Sequence, residues 1–268
     1  MHKTTDSLFS ALWNDYVSIT PSALRIHKLL AGEENSPQIV NDHVAFRTFA
    51  LDKPRLSHLA EHFLALGYEA KGDYDFKAKK VTAQHFEHPD PTVPKVFISE
   101  LRVNEFSAET QRIIHALVEQ MPASVVEAEN FLYSGRHWQL STQEYQSLIS
   151  ESEYAGWLAA WGFRANHFTV SVNHLNNIDT LADVNTLLKE AGFVLNTSGG
   201  EIKGGESVYL AQSSTMADEY NRAFSDGSLN IPSCFYEFAQ RYTMPDGKLY
   251  QGFVEASADK IFESTNAR

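Results

Sequence analysis

Residues 41–50 read NDHVAFRTFA and residues 166–173 read NHFTVSVN, two alternating runs of the kind that form strands. Each is followed by the same succession of elements. After the first comes a helical stretch, roughly Pro54 to Leu66, that stops at Gly67. Strand-like VTAQHFEH (81–88) and KVFISEL (95–101) follow, separated by the Pro-rich turn HPDPTVP. After the second comes a helical stretch, roughly Ile178 to Ala191, that runs into AGFVLNTSGG. Strand-like VYLAQSS (208–214) and SCFYEFAQRY (233–242) close that half. A repeat constrains the fold strongly, because each copy is one supersecondary unit that must bury its apolar face against a neighbour. The expectation is an α+β fold of two βαβββ modules, about residues 38–104 and about 161–255. A helical insert, about 105–160, separates them, and a helix around residues 5–31 precedes them. Within the insert, Ser141 and Glu144 have the spacing of a capping box. No low-complexity linker divides the 268 residues, so 1–268 reads as one domain whose outer helices cover the sheet.

The repeat also aligns chemistry. The first strand of each module carries a His near its start, His43 and His167, and the last strand of each carries a Glu, Glu100 and Glu237. Two imidazoles and one carboxylate with open positions left on the ion is the donor set of non-haem Fe(II) oxygenases. By ligand type Zn, Mn, Ni or Co fit as well. Glu100 is a candidate fourth ligand, which would make the site one for a Zn- or Ni-dependent isomerase or hydrolase.

His43 and Arg47 are four apart, so on a strand they face the same way, with Cα atoms about 13 Å apart. Arg47 can then meet the far end of a small acid chelated to the ion, binding a carboxylate through two parallel hydrogen bonds. Glu237 and Arg241 repeat that arrangement, and two Arg aimed into one cavity point to a 2-oxo dicarboxylic acid. The ordinary reading of the other histidines, His85, His88, His115, His137 and His174, is structural or surface, and Lys77 and Lys80 read as a solvated pair. Cys234 lies three residues from Glu237 and falls on the opposite, core face.

The net charge of −12 would repel a phosphate backbone, which argues against nucleic acid as partner. No run of about 18 apolar residues marks a membrane span. One cysteine cannot make an internal disulfide, and no signal-peptide pattern opens the chain, so the expectation is a cytoplasmic protein. There is no GxSxG, Walker A or GxGxxG sequence, and the Gly-rich SGGEIKGGE (198–206) reads as a loop or hairpin over the cavity. A binder that keeps the barrel as a pocket without catalysis is the third possibility.

DHVAFRTF (42–49), PKVFISEL (94–101), YSGRHW (133–138), SEYAGWLAAWGFRANHFTVSVN (152–173) and SCFYEFAQRY (233–242) together resemble one family, the 2-oxoadipate dioxygenases/decarboxylases, over about residues 8–255. The resemblance implies a vicinal oxygen chelate-like open barrel. It further implies Fe(2+) held by His43, His167 and Glu237, with His43, Arg47 and His167 in the substrate site. The implied reaction uses dioxygen to convert 2-oxoadipate to 2-hydroxyglutarate with release of carbon dioxide, in lysine catabolism. Bacterial members of the family extend further past the last ligand. Here 31 residues follow Glu237 (268 − 237), and the resemblance assigns them no substrate contact.

Overall fold

The computed structural model describes residues 1–31 and 39–266, so residue 38, the expected start of the first module, lies outside them. Two helices open the chain, α1 (Thr5–Ile19) and α2 (Pro21–Ala31), where the sequence pattern predicts one. Pro21 is the reason. It lacks the N–H that would continue α1, and its fixed φ suits the first position of a new helix.

The first module is β1 (Asn41–Phe49), α3 (Leu56–Leu64), β2 (Glu69–Phe76), β3 (Val81–Glu87) and β4 (Lys95–Leu101). Helices α4 (Ala108–Val118), α5 (Thr142–Glu151) and α6 (Glu153–Trp161) form the insert. The second module is β5 (Ala165–Ser171), α7 (Leu181–Glu190), β6 (Lys203–Gly205), β7 (Leu210–Ser214) and β10 (Phe235–Arg241). Before β10 the chain adds a separate hairpin, β8 (Glu219–Phe224) and β9 (Gly227–Pro232), and after it a short helix, α8 (Glu255–Ile261).

The main sheet runs β2-β3-β4-β1-β5-β10-β7-β6. In each half the first strand lies parallel to the last, β1 with β4 and β5 with β10. The two halves meet through the antiparallel pair β1–β5. The paired βαβββ topology is therefore present in full. Its first strands stand side by side at the centre, and each is buried on both faces, as interior parallel strands are.

The sequence places the insert on the outer face of the sheet, and α6 departs from that. All residues from Tyr154 to Trp161 are buried, and a helix that is apolar all round must be enclosed. It lies against the end of the sheet where Arg47 and Ser99 stand. There the Tyr154 hydroxyl takes a hydrogen bond from the Thr48 N–H at 3.1 Å and donates to the Ser99 carbonyl at 2.8 Å. The indole of Trp161 donates to the Pro232 carbonyl at 2.8 Å. Ser152 separates α6 from α5 by capping the second helix, and the Ser141–Glu144 capping box opens the first. SGGEIKGGE is partly strand: Lys203 to Gly205 form the sheet-edge β6, with the Lys203 side chain buried.

Candidate metal centre

Strand pairing carries the three expected ligands to one point. His43 on β1, His167 on β5 and Glu237 on β10 sit on three adjacent strands, and their ligand atoms all lie within 4.8 Å of one another. His43 Nε2 is 3.6 Å from Glu237 Oε1, and His167 Nε2 is 3.0 Å from Oε2. His43 is 2% exposed and Glu237 is fully buried.

Each imidazole is oriented by the residue before it in sequence. Asp42 Oδ1 accepts the Nδ1–H of His43 at 2.7 Å, and Asn166 Oδ1 accepts that of His167 at 3.0 Å. An acceptor at Nδ1 puts the hydrogen there and leaves Nε2 with a lone pair, the atom a metal would take; at His43 the Thr169 hydroxyl lies 3.1 Å from it. Adjacent residues on a regular strand point to opposite faces. These pairs can share one ring because the β1–β5 register slips beside both, between Asn41 and His43 and between Ala45 and Phe46, opposite Asn166.

Burial holds the His167 imidazole below its ordinary value, against the pull of Glu237. Burial alone would raise the Glu237 carboxyl. The two imidazoles and the Gln212 amide outweigh it and hold the group below the usual carboxylate range. Gln212 donates to Oε1 at 2.7 Å, but Oε2 has no aligned donor. A buried carboxylate oxygen without a donor is costly unless a cation takes it. Two imidazoles and a carboxylate whose ligand atoms lie within 4.8 Å of one another fit a divalent ion of the first transition row.

The same three side chains line a cavity with Arg47, Phe97, Ser99 and Gln212. Arg47 is 1% exposed and packs against the rings of Tyr154, Trp157 and Phe262, 4.8 to 5.5 Å away. It donates to Glu153 Oε1 at 2.9 Å and to Thr265 Oγ1 at 3.0 Å, while its Nε–H meets no partner among the described residues.

The alternative ligand Glu100 and the cavity position expected of Arg241 are not found, whereas Lys77, Lys80 and His85 stand as expected. Glu100 is not a ligand. Glu237 pairs with Thr169, two residues past His167, and the matching position in the first module pairs Ala45 with Phe97. Phe97 therefore stands where a fourth ligand would, and Glu100 lies on the other face, accepting the Leu56 N–H at the start of α3 at 2.8 Å. Arg241 does not line the cavity. Its guanidinium is bound by Asp42 at 2.7 and 2.9 Å and by the carbonyls of Tyr250 and Gly252. Lys77 and Lys80 stay outside it too, with Lys80 Nζ on the Glu105 carbonyl. His85 is buried but satisfied by Tyr74 and Glu87 at 2.8 and 2.9 Å.

The chain after Glu237 does reach the site. Phe253, Ala258, Ile261 and Phe262 line the cavity, and the Phe253 ring packs edge-on to His43 at 4.7 Å. Sequence reasoning missed these residues along with Asp42, Asn166, Gln212 and Glu153. The available signal was the matched Asp-His and Asn-His pairs in the two repeat strands.

Paired βαβββ modules around a buried two-histidine, one-carboxylate cluster make a vicinal oxygen chelate-like fold. Comparison with known proteins narrows this further. The chain belongs to the 2-oxoadipate dioxygenase/decarboxylase family, whose model matches residues 12–251. It is 33% identical to the chloroplastic 2-oxoadipate dioxygenase/decarboxylase of Arabidopsis thaliana, over 93% of this chain and 74% of that protein. The crystal structure of hydroxyglutarate synthase from Oryza sativa in complex with 2-oxoadipate is 34% identical, with a TM-score of 0.91 over 99% of this chain and 94% of that one. A Shewanella frigidimarina structure, provisionally described as a hydrolase, is 57% identical with a TM-score of 0.91, over 96% of this chain and 100% of that one.

Proposed function

We propose that this chain is an Fe(II)-dependent dioxygenase that decarboxylates a 2-oxo dicarboxylic acid, converting 2-oxoadipate and dioxygen to 2-hydroxyglutarate and carbon dioxide. The observation that carries this reading is the buried His43–His167–Glu237 cluster with the Arg47 guanidinium in the same cavity. Family membership and the rice complex with 2-oxoadipate support it.

His43, His167 and Glu237 would hold the ion on one side and leave its other side to the cavity. When bound, the ion supplies a chelation point for a 2-oxo acid and reductive activation of dioxygen. The protein's own work is orientation. Arg47, with an unpaired Nε–H and a guanidinium fixed by Glu153, Thr265 and three rings, takes the distal carboxylate. The apolar lining from Phe97, Phe235, Phe253 and Phe262 keeps water from the reacting carbon. The equation balances: six carbons and seven oxygens enter as acid and dioxygen, and the same number leave as hydroxy acid and carbon dioxide.

The test is anaerobic reconstitution with Fe(II), followed by oxygen-uptake assays over a panel of 2-oxo acids. Uptake is expected with 2-oxoadipate and to fall as the second carboxylate is removed or the chain shortened. No uptake with any of them overturns the proposal. We place the reaction in the cytoplasm and in lysine breakdown, which cell fractionation and growth of a deletion strain on lysine would check.

A further inference from the structure

Arg241 donates four hydrogen bonds to protein groups and is 4% exposed. Two go to the carboxylate of Asp42, from Nε to Oδ2 at 2.7 Å and from Nη2 to Oδ1 at 2.9 Å. This is the fork-on-carboxylate geometry that fixes both partners in position. Asp42 Oδ1 is also the acceptor for His43 Nδ1–H at 2.7 Å. The strand β10 therefore supplies Glu237 directly and reaches over its neighbour β5 to hold the other strand's ligand through Arg241 and Asp42.

Among the described residues nothing equivalent exists in the other half. His167 is oriented by Asn166, a neutral amide whose Nδ2 has no partner. By the strand register, the position of Arg241 is taken in the first module by Leu101. The repeat alone does not call for this clamp. Arg241 has a second reach as well. Its Nη1 donates to the carbonyls of Tyr250 and Gly252 at 3.0 and 2.8 Å, which fixes the backbone just before Phe253. One guanidinium thus anchors both the hydrogen bond behind the His43 ring and the aromatic ring packed against it.

We infer that Arg241 and Asp42 are positioning residues for His43: they set the direction of its Nε2 toward the ion and so the strength with which the centre holds metal. The inference rests on reading the three-residue cluster as a metal centre. It replaces a substrate-binding role for Arg241 with one that acts through another residue. Outer partners of ligand imidazoles raise ligand basicity and fix the ring, and their loss weakens metal binding roughly 10- to 100-fold.

The experiment measures metal affinity without turnover. Wild type, Asp42→Asn and Arg241→Gln are titrated anaerobically with Fe(II) against a chromophoric chelator, and with Co(II) to read the ligand-field spectrum. Asp42→Asn gives His43 the neutral amide acceptor that His167 has in Asn166, but it leaves the buried Arg241 guanidinium without its carboxylate. Arg241→Gln leaves a carboxylate buried without its partner, so the double variant Asp42→Asn/Arg241→Gln, which removes both charges, is made alongside it. The expected result is a roughly 10- to 100-fold rise in metal Kd for Asp42→Asn and the double variant. The cobalt spectrum should shift in both. Wild-type metal affinity and spectrum in both would overturn the inference. So would a raised KM in an Arg241 variant that binds metal normally, which would return Arg241 to the substrate. If wild type itself takes up no stoichiometric metal, the metal-centre reading fails and the inference falls with it.

Discussion

At the scale of single residues, the site places a cation-binding face and a guanidinium in one buried cavity. A guanidinium meets a carboxylate as a planar fork, a geometry that an ammonium cannot reproduce. Arg47→Lys should therefore raise KM for the dicarboxylic substrate about 10- to 100-fold, the equivalent of one charge-assisted hydrogen bond. Steady-state kinetics would check this, with the metal content of each sample matched. Cys234 offers a different test. It is fully buried, and burial pushes its thiol up to about 12. At pH 8 the thiolate is then about one part in ten thousand. A thiol reagent should leave the folded protein unlabelled and react with one equivalent after unfolding in urea. Prompt labelling of the native protein would contradict the core placement. The cluster of His43, His167 and Glu237 was legible in the sequence, because residue type and repeat position coincide at the two histidines. Asp42 and Asn166 were not, because strand alternation sends neighbours to opposite faces and only the register slips bring them round. Glu100 stayed an alternative in the sequence for a related reason. The equivalent of Glu237 is set by strand register, which falls on Phe97, and not by the presence of a carboxylate late in the strand.

At the scale of elements, local rules predict the helices and strands well wherever the element carries its own signal. The strand expected over 95–101 is β4. Ser141 and Glu144 form both hydrogen bonds of the capping box. Ser141→Ala should cost about 1 kcal/mol of stability, the usual value for loss of an N-cap. Urea unfolding would read it as a lower midpoint with an unchanged slope. An unchanged midpoint would mean that α5 is held by packing alone. The elements that sequence reading missed lack such signals. The hairpin β8–β9 is mostly exposed and pairs only with itself. Helix α8 is seven residues long, too short for periodicity to speak, and matters because it carries Ala258 and Ile261 into the cavity wall. The helix α6 reads as apolar all round, a sign of enclosure that its assignment to the outer face overlooked.

At the scale of the whole molecule, two modules joined through β1 and β5 bring the site to the centre of one continuous sheet. The three clustered side chains come from both halves, so neither module can assemble the site alone. Insert and C-terminal segment close it from two sides, α6 behind Arg47 and residues 253–265 beside His43 and Arg47. Among the described residues no helix is long and apolar enough to cross a membrane. The central claim is that dioxygen is incorporated at this buried centre with loss of carbon dioxide. The most direct measurement is turnover of 2-oxoadipate by the Fe(II)-reconstituted protein under 18O2, with mass analysis of the product. The account predicts 2-hydroxyglutarate carrying two heavy oxygens, one in the new hydroxyl and one in the new carboxylate, and unlabelled carbon dioxide. Product that forms without dioxygen, or that takes its oxygen from water, would contradict it.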